Sequence, residues 1–468
     1  MRPVLAVVCL VIVLGSSPRS LLAAQAGEPP SRDVLDSVVE LILSGDADLL
    51  PVALEKVRGG LKGEDFTREL AEVVLPELER SQEKAALLAA LADRGDKAAL
   101  PAIMAMAKGS AETIVRAAAI RGVAALGGSD EVPFLESLLS GEAGTVDAAR
   151  GALVAIRSDI VSPRLVIALG DKARPGPQRV AIVGILSERR ETSALPALVD
   201  AAVDADADVR AAAMKSLGTM GGPEQIPGMV AGLLAARTDA ERSDADRAIV
   251  QVCKEHRSKD LAAAALLDRF KAADPAAREV LLPTLARVGG AAVLEIVDGL
   301  IASPAAADRK LGLVALARWP DATVKDRLLR LVAKASTEEE REMLLAGLIR
   351  IAPLPNNSLD PAGKLALVEQ TMALCRRDQD RGKLLERASA IRTVETLRFV
   401  LPYVNQPALA ESACLSIVEL AHQRKLRDGN KDEFMVALDK VLATTTNEEI
   451  ADRAQRYKLG KTWERKKP

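Results

Sequence analysis

One helical pattern recurs along this chain at a nearly fixed spacing. From Val115 the sequence reads Val115-Arg116-Ala117-Ala118-Ala119-Ile120-Arg121-Gly122-Val123-Ala124-Ala125-Leu126-Gly127-Gly128, and from Val209 it reads Val209-Arg210-Ala211-Ala212-Ala213-Met214-Lys215-Ser216-Leu217-Gly218-Thr219-Met220-Gly221-Gly222, without a gap between the two. With the first residue as position zero, apolar residues fall at +3, +4, +8 and +11, one face of a 3.6-residue helix. Gly at +12 stops it. The same template fits from Thr145, Gln178, Ala245, Ala277, Asp308 and Glu340, so that successive starts differ by 30, 33, 31, 36, 32, 31 and 32 residues. A single helix pair of this length cannot hide its own apolar face, so neighbouring pairs must stack to make a core.

Position +8 reads Val123, Leu153, Leu186, Leu217, Cys253, Leu285, Leu316 and Leu348, apolar in every unit. Position +1 reads Arg116, Val146, Arg179, Arg210, Asp246, Arg278, Arg309 and Arg341. A cation in the first turn opposes the helix dipole at a cost of a few tenths of a kcal/mol, which calls for a carboxylate partner nearby. Asp206 and Asp208, just upstream of one such helix, are candidates. The six arginines Arg116, Arg179, Arg210, Arg278, Arg309 and Arg341 are therefore expected to form a structural ladder between repeats.

Upstream of each such helix lies a shorter one, often opened by proline, as at Pro101, Pro133, Pro163, Pro196 and Pro227. Proline at a helix start needs no amide donor and presets φ. Caps separate the two helices: Ser110, Asp274, and Thr337 with Glu340 three residues on. The second-helix motif resembles the HEAT-repeat family, in its short bacterial form related to phycobilisome-lyase repeats, over about eight units from Asp96 to Pro353. That resemblance implies an all-α, superhelical solenoid of stacked helix-turn-helix repeats, and says little about function. In the fifth unit Asp246 replaces the arginine and extra residues near Ala240 are expected to lengthen a loop, breaking the ladder there.

The flanks divide accordingly. Residues 1–26 have the layout of a secretory signal: Arg2, the apolar run Val4 to Leu14, a polar break, and the small-residue site Ala24-Gln25-Ala26. Eleven helical residues reach about 17 Å, roughly half of a membrane core of about 30 Å, which favours cleavage before Gly27 over a retained anchor. Residues 27–95, with the stripe Leu35, Val38, Val39 and Ile42, read as degenerate repeats and an amino-terminal cap, 96–355 as the array, and 356–446 as carboxy-terminal helical repeats and cap. Residues 447–468 read as a solvated basic tail, with Arg453, Arg456, Lys458, Lys461, Arg465, Lys466 and Lys467 around Tyr457 and Trp463.

The rest of the composition narrows the function. Aromatic residues are 2% of the 468, so the core is Ala, Leu, Val and Ile in thin layers. With 63 basic and 65 acidic residues the formal charge is −2, and no global basic field draws in nucleic acid. Cys253, Cys375 and Cys414 remain after signal removal, too few and odd in number for a disulfide framework, and are read as buried thiols. Asp204, Asp206 and Asp208 imitate the start of a calcium loop, but Val209 and Lys215 stand where Gly and Glu are required, so they are read as a helix cap. His256 with Cys253, and His422 with Cys414 and Glu419, lack a second ligand cluster. No cofactor or metal is expected. The functional expectation is an exported, periplasmic or extracellular, non-enzymatic scaffold that binds another protein through its repeat surface, without an integral span. The open alternatives are a repeat-containing enzyme or lyase subunit and an envelope tether acting through the basic tail.

Overall fold

A computed structural model describes residues 32–60, 63–257, 259–354 and 358–463. Within them every regular element is a helix and no strand occurs. The signal-like segment and residues 464–468 lie outside the described residues. Packing separates two compact units, Met1–Ser216 and Leu217–Pro468, whose boundary falls inside one helix, Ala207–Met220.

The repeating element is a pair of helices joined by a short connection. In Met1–Ser216 the pairs include Leu100–Gly109 with Thr113–Leu126, Val132–Ser137 with Ala143–Ala155, and Val161–Gly170 with Gly176–Glu188. In Leu217–Pro468 they are Ile226–Ala235 with Asp239–Glu255, Lys259–Ala272 with Pro275–Val288, Ala291–Ala302 with Ala306–Ala317, and Lys325–Ala333 with Glu338–Ile351. The pattern continues past the segment that carries the motif: Pro361–Leu374 with Asp378–Ala388, Val394–Val400 with Ala410–His422, and Lys431–Thr444 with Glu448–Lys458. Within each unit the second helices touch one another in chain order.

The residue pattern accounts for this packing. Position +8 is buried in all eight units, from Val123 and Leu153 at 0% exposure to Cys253 at 4%. Proline stands in the first turn of Leu100–Gly109, Val132–Ser137, Leu195–Ala201 and Ile226–Ala235. Asp274 accepts from the Ala277 amide at 2.9 Å and Thr337 from the Glu340 amide at 3.1 Å, each relieving an orphan donor at a helix start. At the amino end Val38 and Ile42 of the expected stripe are buried, while Leu35 and Val39 are half-buried. Small residues set the spacing: a Cβ on Gly347 would lie 2.9 Å from the Ala317 carbonyl oxygen of the preceding second helix.

Two expectations need correction. The extra residues near Ala240 do not lengthen a loop. Thr238 accepts from the Glu241 amide at 3.2 Å and opens a 17-residue helix, Asp239–Glu255, so the insertion is absorbed as extra turns. The stretch after Thr446, read as a solvated tail, is largely a packed helix. Asn447 caps it through the amides of Glu449 and Ile450, and Ile450, Arg453, Ala454 and Tyr457 share a buried face at helical spacing against Lys431–Thr444 and Ala410–His422. An apolar stripe of period 3.6 outweighs a basic composition here.

Candidate binding surface

The first-turn arginines use more than one kind of acceptor. Arg179 makes a fork to Asp204 at 2.7 and 2.8 Å, joining its helix to the turn of the following repeat. Both residues are buried. The guanidinium hydrogen bonds hold the Asp204 carboxyl down at about 2, against burial that pushes the other way. Arg309 donates to Glu340 of the following repeat at 2.6 Å. Arg341 reaches the Leu374 carbonyl of the following repeat as well as the Val332 carbonyl of its own. Arg116 instead turns back onto the Ser110 carbonyl at 2.8 Å, Arg210 onto the carbonyls of Asp204 and Ala205 at 2.7 and 3.0 Å, and Arg278 onto the Lys271 carbonyl at 2.7 Å. A carboxylate partner of the kind inferred for this position is present at Arg179, Arg309 and, at 3.9 Å from Glu338, Arg341, and backbone carbonyls are acceptors for Arg116, Arg210, Arg278 and Arg341. Where Asp246 replaces arginine, charge is reversed and the bond survives: Asp246 pairs with Arg287 of the next second helix.

A second arginine row was not read from the sequence. It sits where second helices end. Arg189 donates to four carbonyls at the end of the preceding second helix, those of Leu153, Val154, Ile156 and Ser158, at 3.0 to 3.2 Å. Arg350 reaches back to Ala317 and Trp319, and Arg387 to Ile349 and Arg350. Near the amino end Arg94 does so to Val57 and Gly63. Carbonyls in a last helical turn lack intrahelical donors and carry the negative end of the dipole, so a guanidinium from the next repeat satisfies both. Desolvation lowers the pKa of Arg94 and of Arg350, and the charges of Arg387, Arg287 and Arg318 lower Arg350 further.

The remaining candidates are structural in their contacts. Asp204 accepts from the Asp206 amide, and Asp206 from the amides of Asp208 and Val209, which is capping geometry. Among the described residues no group of three His, Cys, Asp or Glu side chains could hold a metal ion. Cys253, Cys375 and Cys414 are buried and free, and burial pushes their thiols up to about 12, 11 and 11. His256 is half-buried at the end of its helix, and His422 Nδ1 lies 2.9 Å from the Tyr457 hydroxyl. The basic groups of the last helix are engaged: Arg453 with Glu419, Arg456 with Asp452 and Lys458 with Asp439.

Two open concavities lie among the described residues of Leu217–Pro468. One, of about 210 Å³, spans the first turns of Ala306–Ala317 and Glu338–Ile351 and is lined by Arg309, Leu313, Glu340 and Met343. The other, of about 440 Å³, lies at the carboxy-terminal pair, with Phe434, Leu438 and Tyr457 below and Arg427, Lys431 and Lys458 around it. No described helix is long and apolar enough to cross a membrane.

Comparison with known proteins agrees with this architecture. No curated protein matches the chain in sequence. Solved structures that do match in fold include the karyopherin Kap121p bound to the SUMO protease Ulp1p, with a TM-score of 0.52 and 12% identity over 94% of this chain and 54% of that one. Kap121p bound to the extreme C-terminus of the protein phosphatase Cdc14p gives 0.50 and 12% over 91% and 56%, and Kap121p bound to Nup53p gives 0.50 and 12% over 94% and 55%. The chain spans about half the length of these structures. At this identity the likeness is one of fold: an all-α solenoid of stacked helix pairs. The family model for HEAT repeats matches residues 162–250, and that segment of the chain is built of HEAT repeats.

Proposed function

We propose that the chain is an exported, non-enzymatic scaffold that holds a partner protein along its stacked helices. The observation that carries this reading is the repeat itself: one pair-and-stack rule holds within Met1–Ser216 and again within Leu217–Pro468, and each unit leaves helix ends and turns exposed. Such quasi-one-dimensional surfaces suit extended contacts. The fold likeness to karyopherin structures with bound partners supports it. The non-enzymatic part is supported by the thiols, whose raised pKa values run opposite to what a nucleophile needs. The tether alternative is weakened because Arg453, Arg456 and Lys458 already have acidic partners. Export rests on the sequence of residues 1–26.

A photo-crosslinking residue placed in turn at exposed positions such as Ile114, Leu261 and Val436, in the native host, tests the scaffold reading. Discrete heavier adducts from a subset of positions are expected, and their absence at positions covering both helix layers would overturn it. For export, the mass of the purified protein should correspond to a chain beginning at Gly27. A cytoplasmic chain that retains residues 1–26 would reject it.

A further inference from the structure

In Leu217–Pro468 five consecutive second helices end on a cation: Lys254, Arg287, Arg318, Arg350 and Arg387. Their separations in sequence, 33, 31, 32 and 37 residues, follow the repeat. They are also neighbours in space. Arg387 donates to the Arg350 carbonyl, Arg350 to the Trp319 carbonyl beside Arg318, and a Cβ on Gly289, two residues after Arg287, would lie 2.8 Å from Pro320. The charges feel one another: beyond desolvation, Arg287 and Arg350 lower the Lys254 ammonium, with Asp321 and Cys253 opposing. Asp246 compensates Arg287, and backbone carbonyls engage Arg350 and Arg387. Lys254 and Arg318 are exposed at opposite sides of Arg287 in this order.

The opposite ends of these helices are mixed in sign, with Arg278, Arg309 and Arg341 in first turns that also hold acidic groups. Their first turns carry Asp239 and Glu241, the run Glu338 to Glu340, and Asp378 and Asp380. A polyanion is therefore drawn more strongly to the edge of helix ends than to this mixed edge.

We propose that this basic edge binds an extended acidic segment of a partner protein. The proposal rests on the scaffold reading and names the chemistry of the partner. Adjacent packed helices lie about 8–10 Å apart, and an extended peptide rises about 3.3 Å per residue, so an acidic side chain at every third position meets one cation per repeat. Single-stranded nucleic acid fits less well. It needs exposed aromatic faces on which bases stack, and Trp319, the aromatic residue next to the row, is buried with its indole nitrogen donating to Thr323.

The test is fluorescence anisotropy on the purified protein with three labelled probes: a 15-residue peptide with Glu at every third position, its Lys counterpart, and oligothymidylate of equal charge. The acidic peptide should bind, the Lys peptide should not, and added salt should weaken the complex. Lys254→Glu with Arg318→Glu should weaken it at least tenfold, and Lys254→Gln with Arg318→Gln by less, with thermal melts like that of the unmodified protein. The glutamine pair keeps the test decisive if the charge-reversed pair melts early. An unmodified protein that ignores the peptide, variants that bind it as before, or tighter binding of oligothymidylate would each overturn the proposal. Crosslinked adducts elsewhere on the array would survive such a failure, so the scaffold reading stands or falls separately.

Discussion

Arg179 and Asp204 show how much of a repeat junction rests on one side-chain pair. Both are out of water, so removing one partner strands the other. Arg179→Ala should cost about 3–5 kcal/mol in urea unfolding. The pair also sets a pH response. Asp204 is held at about 2, below the ordinary 3.8, chiefly by its bonds to Arg179, so its contribution is complete above pH 4 and is lost as pH falls towards 2. That contribution is about 2 kcal/mol, and the stability gap between the unmodified protein and Asp204→Asn, measured by urea unfolding at pH 7 and at pH 2.5, should narrow at the lower value. The thiols give a further check. Cys253, Cys375 and Cys414, with pKa values of about 12, 11 and 11 and little exposure, should resist a thiol reagent at pH 8 in the folded protein and react at once in urea. Rapid labelling of the folded chain would contradict their burial.

At the scale of the element, the second helix was legible because its apolar positions repeat at a fixed register. Each of those helices begins two residues before its template start, except the fifth, where six residues precede Ala245. The fifth departed because helix-forming residues after Thr238 extend a helix as readily as a loop, and the template counts only from its first apolar position. The last helix was also legible in part, through Asn447 followed by Glu448 and Glu449, but the seven basic residues after it drew attention to charge and away from Ile450, Ala454 and Tyr457. The arginines at the helix ends were invisible for a different reason. Their acceptors are backbone carbonyls, which have no signature in sequence, and their position slips between +10 in Arg350 and +11 in Arg189 as the helix end moves. Arg189→Met should destabilise the protein by about 1.5–3 kcal/mol, since it bares several carbonyls at once. Close approach is the other element-scale constraint: with the Ala317 backbone 2.9 Å from a Cβ, Gly347→Val should cost about 1–3 kcal/mol. A melt unchanged in either variant would show that the helices separate more easily than their contacts indicate.

For the whole molecule, stability is a sum of pairs and the contacts between neighbours. The last pair therefore matters beyond its size. Deleting residues 447–468 uncovers the surface on which Tyr457 and Ile450 lie, and should lower the melting temperature and raise binding of a hydrophobic dye, whereas deleting 461–468 alone, which takes only Trp463 from the face of Arg453, should do so less. The helix-end arginines add a sense of direction to this sum. In each bond of that kind the guanidinium belongs to the later repeat and the carbonyls to the earlier one. A cut through the array therefore leaves unlike stumps: upstream, a helix whose final oxygens have lost their donor, which water can replace; downstream, an arginine shaped for a neighbour that has gone. Proteolytic fragments taken from the front of the protein should accordingly tolerate isolation better than those taken from the back.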